Sequence, residues 1–302
     1  MKLLVINNLA AGLADGSIYD YVRLMSTDRN EVSIRTTDGA TDIKDLLTDA
    51  TDYDMVVVSG GDGTLASAAF ALAYTGVPIL PFPAGTANLL ANNLLEPMEP
   101  HALAKMTRAG KILEFDLGEI EVSGERFGFS IMAGAGYDAK IMHDAKPAKK
   151  LLGQMAYFQA AIANALPQVS KIDLTIDGET IHTEGLGVLL VNFSKIQFEI
   201  TVTHNNEPRD GKFEIVVLKA DNAFGLIPAF IDGLLDADGS HPGRADSLEI
   251  FSGNNVEIVA DPPFEVQYDG EIPGLQTPLH AHVLNGAARF VLSDEGYERF
   301  KG

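Results

Sequence analysis

No cysteine occurs among the 302 residues, which excludes a disulfide scaffold, a thiolate metal site and a cysteine nucleophile. Long apolar runs are missing too. No uninterrupted stretch reaches the roughly 18 residues that a membrane-spanning helix needs. The opening MKLLVINNLAAG, with one lysine and a short apolar run, reads as a first buried strand rather than a secretory signal. The expected compartment is the cytoplasm. Basic residues are scarce: 22 Lys and Arg stand against 42 Asp and Glu, a formal net charge of −20. Such a surface repels phosphate backbones, so nucleic acid is not an expected partner. It also repels anionic headgroups, which argues against a permanent electrostatic membrane anchor. Simple solubility, including adaptation to high salt, accounts for the charge. What is present is a globular composition, 46% hydrophobic and 21% charged, with enough chain for two domains.

The first part alternates strand-like and helix-like segments: strands at 2–6, 31–35, 54–59 and 77–82, helices at 17–25, 43–50 and 64–74. The MVVV run reads as a fully buried strand, and the β-α-β rhythm predicts a parallel sheet covered by helices on both faces. Beyond Leu117 the texture changes to short β-rich segments, at 119–122, 126–133, 171–176, 186–193, 213–218, 255–260 and 264–268, parted by Gly, Asp-Gly or Pro. IDGE at 176–179 and YDGE at 268–271 carry the Asp-Gly pair that favours a hairpin turn. The expected architecture is an α/β parallel-sheet domain over 1–117 followed by a β-rich antiparallel sandwich over 118–287, with a cleft between them. Helical insertions are expected near 149–166 and 223–235, and 288–302 is a candidate to pack back onto the first domain.

The sharpest feature is SGGDGTLASAAFALAYTG at 59–76. Gly60, Gly61 and Gly63 bracket Asp62 directly after a buried strand and before a helix. At the carboxyl end of a parallel strand such a loop brings backbone amides close to a phosphate, and the helix start adds free N–H groups and its positive dipole end. Thr64 is expected to cap that helix, and Asp62 to hold Mg²⁺ or orient a nucleophile. The alternative is a plain tight turn. The loop is neither a Walker A motif nor a dinucleotide fingerprint. A second strand end, PFPAGTANLLANNL at 81–94, again runs Gly-Thr into a helix and offers Gly85, Thr86 and Asn88 to line one cleft with the first.

GGDGT followed by PAGTANLLANNL resembles the catalytic domain of diacylglycerol kinases and their bacterial lipid kinase relatives, a group that includes sphingosine and ceramide kinases. The likeness continues through FDLG (115–118), AGAGYDA (133–139), KKLLGQMAY (149–157), DGKFEIVVL (210–218) and VQYDGE (266–271), and so covers nearly the whole chain. It implies an ATP- and Mg²⁺-dependent kinase that phosphorylates the hydroxyl of diacylglycerol or a similar lipid alcohol, in transient peripheral contact with a membrane. It implies nucleotide contacts from Asn7, Thr37 (Thr36 being the near alternative), Gly60, Gly61, Asp62, Gly63, Thr64, Gly85, Thr86 and Asn88. The DGE segment implies Asp269 and Glu271 in the active site, with Glu271 the candidate base and Asp62 its rival. EPRDGK implies a structural Mg²⁺ held by the Asp210 carboxylate and backbone oxygens around Glu207 and Lys212; from the residues alone, Asp210-Gly211 is a hairpin turn. Asp116 is either a further functional acid or a strand-end cap.

The first loop departs from the family. INNLAAGLADGS keeps Asn7 but lacks the usual proline and any nearby lysine or arginine, and Leu89 follows Asn88 where the family has Asp. Lys149 and Lys150 are either a substitute basic contact or part of a solvated helix face, and 151–166 is expected to pack as an apolar helix. His280 and His282 share one face of a surface strand, with no third metal ligand, while His204 and His241 lie in polar turn-like segments. Two other activities stay open: an NAD kinase, which shares GGDGT, and a nucleotide- or lipid-binding regulator without catalysis.

Overall fold

A computed structural model describes residues 1–12, 16–27, 29–136, 169–193, 207–219 and 248–302. The expected insertions at 149–166 and 223–235, the apolar helix at 151–166, Lys149, Lys150, His204, His241 and the end of AGAGYDA lie outside these residues. The chain divides into two compact units, Met1–Leu117 with Asn285–Gly302, and Gly118–Leu284.

In the first unit β1 (Lys2–Asn8), β2 (Glu31–Thr37), β3 (Met55–Gly60) and β4 (Pro78–Pro83) lie parallel in the order β2-β1-β3-β4. Leu3–Ile6 and Val56–Val58 are unbroken apolar runs with no exposure, as strands covered on both faces require. Helix α1 (Ser17–Met25) and helix α4 (Pro100–Ala109) join one face, where Tyr21, Met25, Leu103 and Met106 cluster with Leu3, Val5 and Val57. The Tyr21 and Thr107 hydroxyls meet there at 2.8 Å. Helix α2 (Asp62–Ala71) follows β3 and buries Leu65, Ala66, Ala68 and Ala69; the short α3 (Leu89–Asn93) follows β4. α4, unanticipated from the sequence, has Pro100 at its start and Gly110 at φ 64° at its end. The terminal α5 (Asp294–Phe300) is capped by Ser293, whose hydroxyl accepts from the Gly296 amide at 2.9 Å.

Two helix expectations need correction. Residues 43–50 form short 3₁₀ turns, Ile43–Leu47 and Ala50–Asp52. The Arg35 guanidinium draws off the Leu46 carbonyl at 2.6 Å and pairs with Asp49 at 2.5 and 2.7 Å, which prevents one continuous helix. The helix expected over 64–74 instead begins at Asp62 and stops at Ala71. Tyr74, at φ 60°, gives its amide to Ala287 at 2.8 Å and turns the chain away.

The second unit is an antiparallel sandwich. β5 (Ile112–Val122), which belongs in part to each unit, forms a hairpin with β6 (Glu125–Phe129). β8 (Ser170–Ile176) pairs with β9 (Glu179–Gly185) on one side and β13 (Asn255–Asp261) on the other. β13 continues to β15 (Leu279–Val291), whose last residues pair with β4 in the first unit. The facing sheet has the order β12 (Leu248–Gly253), β11 (Phe213–Leu218), β10 (Gly187–Val191), β7 (Met132–Gly136) and β14 (Val266–Tyr268). Ile120, Leu174, Ile258 and Ala281 from one sheet meet Ala133, Leu190, Ile215 and Val266 from the other in a single core. Asp177-Gly178 and Asp269-Gly270 both have two successive positive φ angles, as does Ser123-Gly124, the signature of type I′ turns. His280 and His282 stand on the surface of β15 beside Glu257 and Glu119.

The strand expected over 126–133 is two strands, β6 and β7, broken at Ser130-Ile131. Those two amides and that of Met132 point at the Asp269 carboxylate instead of a neighbouring strand.

Candidate active site

Parallel strands place their carboxyl ends on one edge, and the loops following β1, β2, β3 and β4 meet there. A Cβ on Gly12, which has φ 58°, would stand 2.0 Å from the Ala84 carbonyl oxygen, so the first loop touches the fourth. A Cβ on Gly85 would stand 2.6 Å from the Gly61 Cα, so the third and fourth loops touch as well. Gly60 has no room for a side chain because the Thr64 side chain occupies that space, its Cβ 2.6 Å from the position a Cβ would take. Among the described residues nothing lies within 4 Å of where a Cβ on Gly63 would stand.

The polar groups hold these loops. Thr37 is buried; its hydroxyl accepts from the Gly39 amide at 3.0 Å and its carbonyl from the Leu9 amide at 2.8 Å, tying the ends of β1 and β2, while Thr36 is exposed. Asn7 is buried and its amide reaches the Tyr19 hydroxyl at 3.5 Å. Asn88, at φ 50°, closes its own loop: its Oδ1 accepts from the Gly85 amide at 2.8 Å and its Nδ2 donates to the Gly85 carbonyl at 3.1 Å. Thr86 is exposed.

Thr64 does not cap α2. Gly61 is the cap residue, without a side-chain bond, and Thr64 accepts instead from Asn8 Nδ2 at 2.8 Å. The first turn is therefore open. Leu65 donates to Gly61 at 3.1 Å, which leaves the Gly63 and Thr64 amides without intrahelical acceptors. Asn8 is the residue that sequence reasoning missed; the only signal was an amide side chain where the resembling family has proline. No lysine or arginine lies in 3–22 or 45–104, the stretches that supply the first, third and fourth loops.

The candidate acids are in three different states. Burial pushes the Asp62 carboxyl up, against the pull of backbone amides, and its Oδ1 accepts from the Leu90 amide at 3.1 Å, anchoring the start of α3. Asp269 is saturated: Oδ2 accepts from the Ser130 amide at 2.6 Å and hydroxyl at 2.8 Å, and Oδ1 from the Ile131 and Met132 amides at 2.9 and 3.0 Å. Burial raises its carboxyl and these donors oppose the rise; four donors and no acceptor suit a carboxylate, not a carboxylic acid. Glu271, two residues on, is exposed. Among the described residues only its backbone is hydrogen-bonded, in the bridge to Tyr268 at 2.7 and 3.0 Å. Asp116, in the first unit, is buried and accepts from the Gly286 amide at 2.7 Å.

Glu207–Lys212 forms a turn leading into β11. The Glu207 carbonyl accepts from the Arg209 and Asp210 amides at 2.7 and 3.1 Å, Asp210 Oδ1 from the Lys212 amide at 2.9 Å, and Gly211 lies at φ 76°. Among the described residues no group of three His, Cys, Asp or Glu is arranged for a metal. The donor chemistry still suits Mg²⁺, a hard cation that takes carboxylate and carbonyl oxygens. Beside Asp210, Glu214 has a buried oxygen without a partner among the described residues. Burial, then the charge of Asp210, pushes that carboxyl up to about 7.

A parallel sheet with glycine-walled loops at its strand ends and an open helix start defines an α/β protein. Comparison with known proteins gives its family. Residues 2–120 match the diacylglycerol kinase catalytic domain, and residues 131–292 the YegS C-terminal NAD kinase beta sandwich-like domain. A Pseudomonas putida protein named "Probable lipid kinase YegS-like" is 31% identical over 239 residues, 76% of this chain and 78% of its own. The diacylglycerol kinase of Bacillus subtilis is 26% identical over 243 residues, 77% of each chain. This chain spans about half the length of another relative, an uncharacterized Synechocystis protein, at 27% identity over 241 residues, 76% of this chain and 52% of that one. The crystal structure of a diacylglycerol kinase from Bacillus anthracis str. Sterne shares the fold, with a TM-score of 0.76 at 22% identity over 97% and 98% of the two chains. The chain belongs to the diacylglycerol kinase family of lipid kinases.

Proposed function

We propose that this chain transfers the γ-phosphoryl group of ATP to the hydroxyl of diacylglycerol or a similar neutral lipid alcohol. The observation that carries this is the loop edge of the first unit, where Gly85 lies too close to Gly61 to carry a side chain and α2 begins with uncapped amides. Those amides, of Gly63 and Thr64, hold phosphate oxygens, and the Thr64 and Thr86 hydroxyls add donors. Asn7, Thr37 and Asn88 keep the loops in place. Magnesium, when bound, neutralises charge on the phosphates. Within the turn of the second unit, the Asp210 carboxylate with the Glu207 and Lys212 backbone oxygens would hold a structural ion.

Glu271 takes the acceptor proton. It is exposed and its carboxylate has no donor or cation paired with it among the described residues, whereas Asp269 is saturated and Asp62 is tied to α3. As the proton passes to Glu271, the hydroxyl oxygen bonds to the γ-phosphorus and the bond to the bridging oxygen of ADP breaks. Asp269 positions the turn that carries Glu271. Contact with the membrane is peripheral and transient. Among the described residues no helix is long and apolar enough to cross one.

The test is phosphoryl transfer from γ-labelled ATP with Mg²⁺ to diacylglycerol, ceramide and sphingosine in mixed micelles, with NAD as a soluble acceptor. Label in a phosphorylated lipid is expected. Label confined to NAD, or in no acceptor, contradicts the proposal.

A further inference from the structure

The first, third and fourth loops supply no lysine or arginine, so a phosphate seated on them depends on where their neutral donors point, and one side chain outside the expected site residues controls that. Asn8, the last residue of β1, makes two hydrogen bonds of opposite polarity. Its Oδ1 accepts from the Ala10 amide at 3.0 Å and its Nδ2 donates to Thr64 Oγ1 at 2.8 Å. The Ala10 amide is only a donor, so the oxygen end of the side chain must face it. The NH₂ end must then face Thr64, and the amide has no freedom to flip. Thr64 is thereby an acceptor toward Asn8.

A hydroxyl has one proton to give and two lone pairs. With one lone pair held by Asn8, the Thr64 proton remains available, and among the described residues no acceptor takes it. The Thr64 side chain also fills the space beside Gly60, where a Cβ would lie 2.6 to 2.8 Å from its Cβ, Cγ2 and Oγ1. Gly60 and Asn8 together fix the rotamer and the polarity of this hydroxyl, in the first turn of α2 beside the open amides.

We propose that Asn8 is a positioning residue for the nucleotide phosphates: it reserves the Thr64 hydroxyl as a donor to a phosphate oxygen, in a loop without a cationic side chain. This rests on the assignment of ATP to the loop edge. A proline here, as the resembling family carries, has no side-chain amide to play this part.

The experiment measures binding of the Mg²⁺ complex of the imido analogue of ATP by calorimetry, together with KM and kcat, on the full chain. Asn8→Ala is expected to weaken binding about tenfold, the scale of one lost charge-assisted hydrogen bond, and to raise KM for ATP while kcat falls less. Asn8→Asp is expected to weaken binding further, because its carboxylate accepts the Thr64 proton and adds negative charge. In a Thr64→Ser background, which keeps the hydroxyl, Asn8→Ala retains its effect. In a Thr64→Val background it is expected to change binding by less than about twofold. The melting temperature of each variant separates loss of folding from loss of binding. Unchanged binding in folded Asn8→Ala, or an undiminished effect in the Thr64→Val background, overturns the inference while leaving the loop edge as the ATP site. A wild-type chain that binds no nucleotide overturns that assignment and the inference together.

Discussion

Glu96 shows how much a single carboxyl depends on its surroundings. It follows α3, is buried, and among the described residues neither carboxylate oxygen has a partner. Burial pushes its carboxyl well above the usual range, which favours the neutral acid. A raised folded value has a defined sign. Its stability contribution is fully present below the unfolded value and is lost as pH rises toward the folded one. Glu96→Gln keeps the shape but cannot ionise. The difference in unfolding free energy between variant and wild type is expected to move in the variant's favour from pH 5 to pH 8, by up to about 1.4 kcal/mol per pH unit; denaturant titration at several pH values measures it, and a difference independent of pH contradicts the assignment. Asp62 and Asp269, also acids raised by burial, are held by backbone amides instead. The sequence marks all three as acids alike; only the amides around them separate a buried carboxyl without donors, an anchor for α3 and a saturated carboxylate.

At the scale of elements, close approach of loops forms the site. Gly61 and Gly85 belong to loops after different strands, yet a Cβ on Gly85 would lie 2.6 Å from the Gly61 Cα. The Cβ position is fixed by the Gly85 backbone and the Gly61 Cα is itself backbone, so neither rotates aside. Gly85→Ala is expected to cost about 1–3 kcal/mol and to weaken nucleotide binding at least tenfold, as read by thermal melts and calorimetry; binding at wild-type strength would mean that the fourth loop does not wall the site. Much of this level was legible in the sequence. Unbroken apolar runs marked β1 and β3, the three glycines around Asp62 marked the passage from β3 into α2, and Asp-Gly pairs marked two I′ turns. Apart from α4, what escaped notice depends on partners outside the local segment. The break between β6 and β7 needs an acid 139 residues away. The 3₁₀ turns at 43–52 need Arg35 from another strand, and the role of Asn8 needs Thr64, 56 residues on. Local periodicity carries none of this.

On the scale of the whole molecule, the proposed roles divide between two units of different architecture. The parallel unit offers backbone amides and hydroxyls for the nucleotide, and the sandwich offers a carboxylate on a turn fixed by Asp269. A net charge of −20 gives no long-range attraction for a nucleotide triphosphate, which makes short-range donors and bound Mg²⁺ the proposed sources of affinity. The most direct measurement is therefore on Glu271→Gln, comparing affinity for the Mg²⁺ complex of the imido analogue with the rate of lipid phosphorylation. The expected result is nucleotide affinity within about threefold of wild type and a kcat lowered by about 10²–10⁴, the loss that accompanies removal of a general base. Lipid phosphorylation at the wild-type rate in this variant would contradict the assignment of the proton to Glu271.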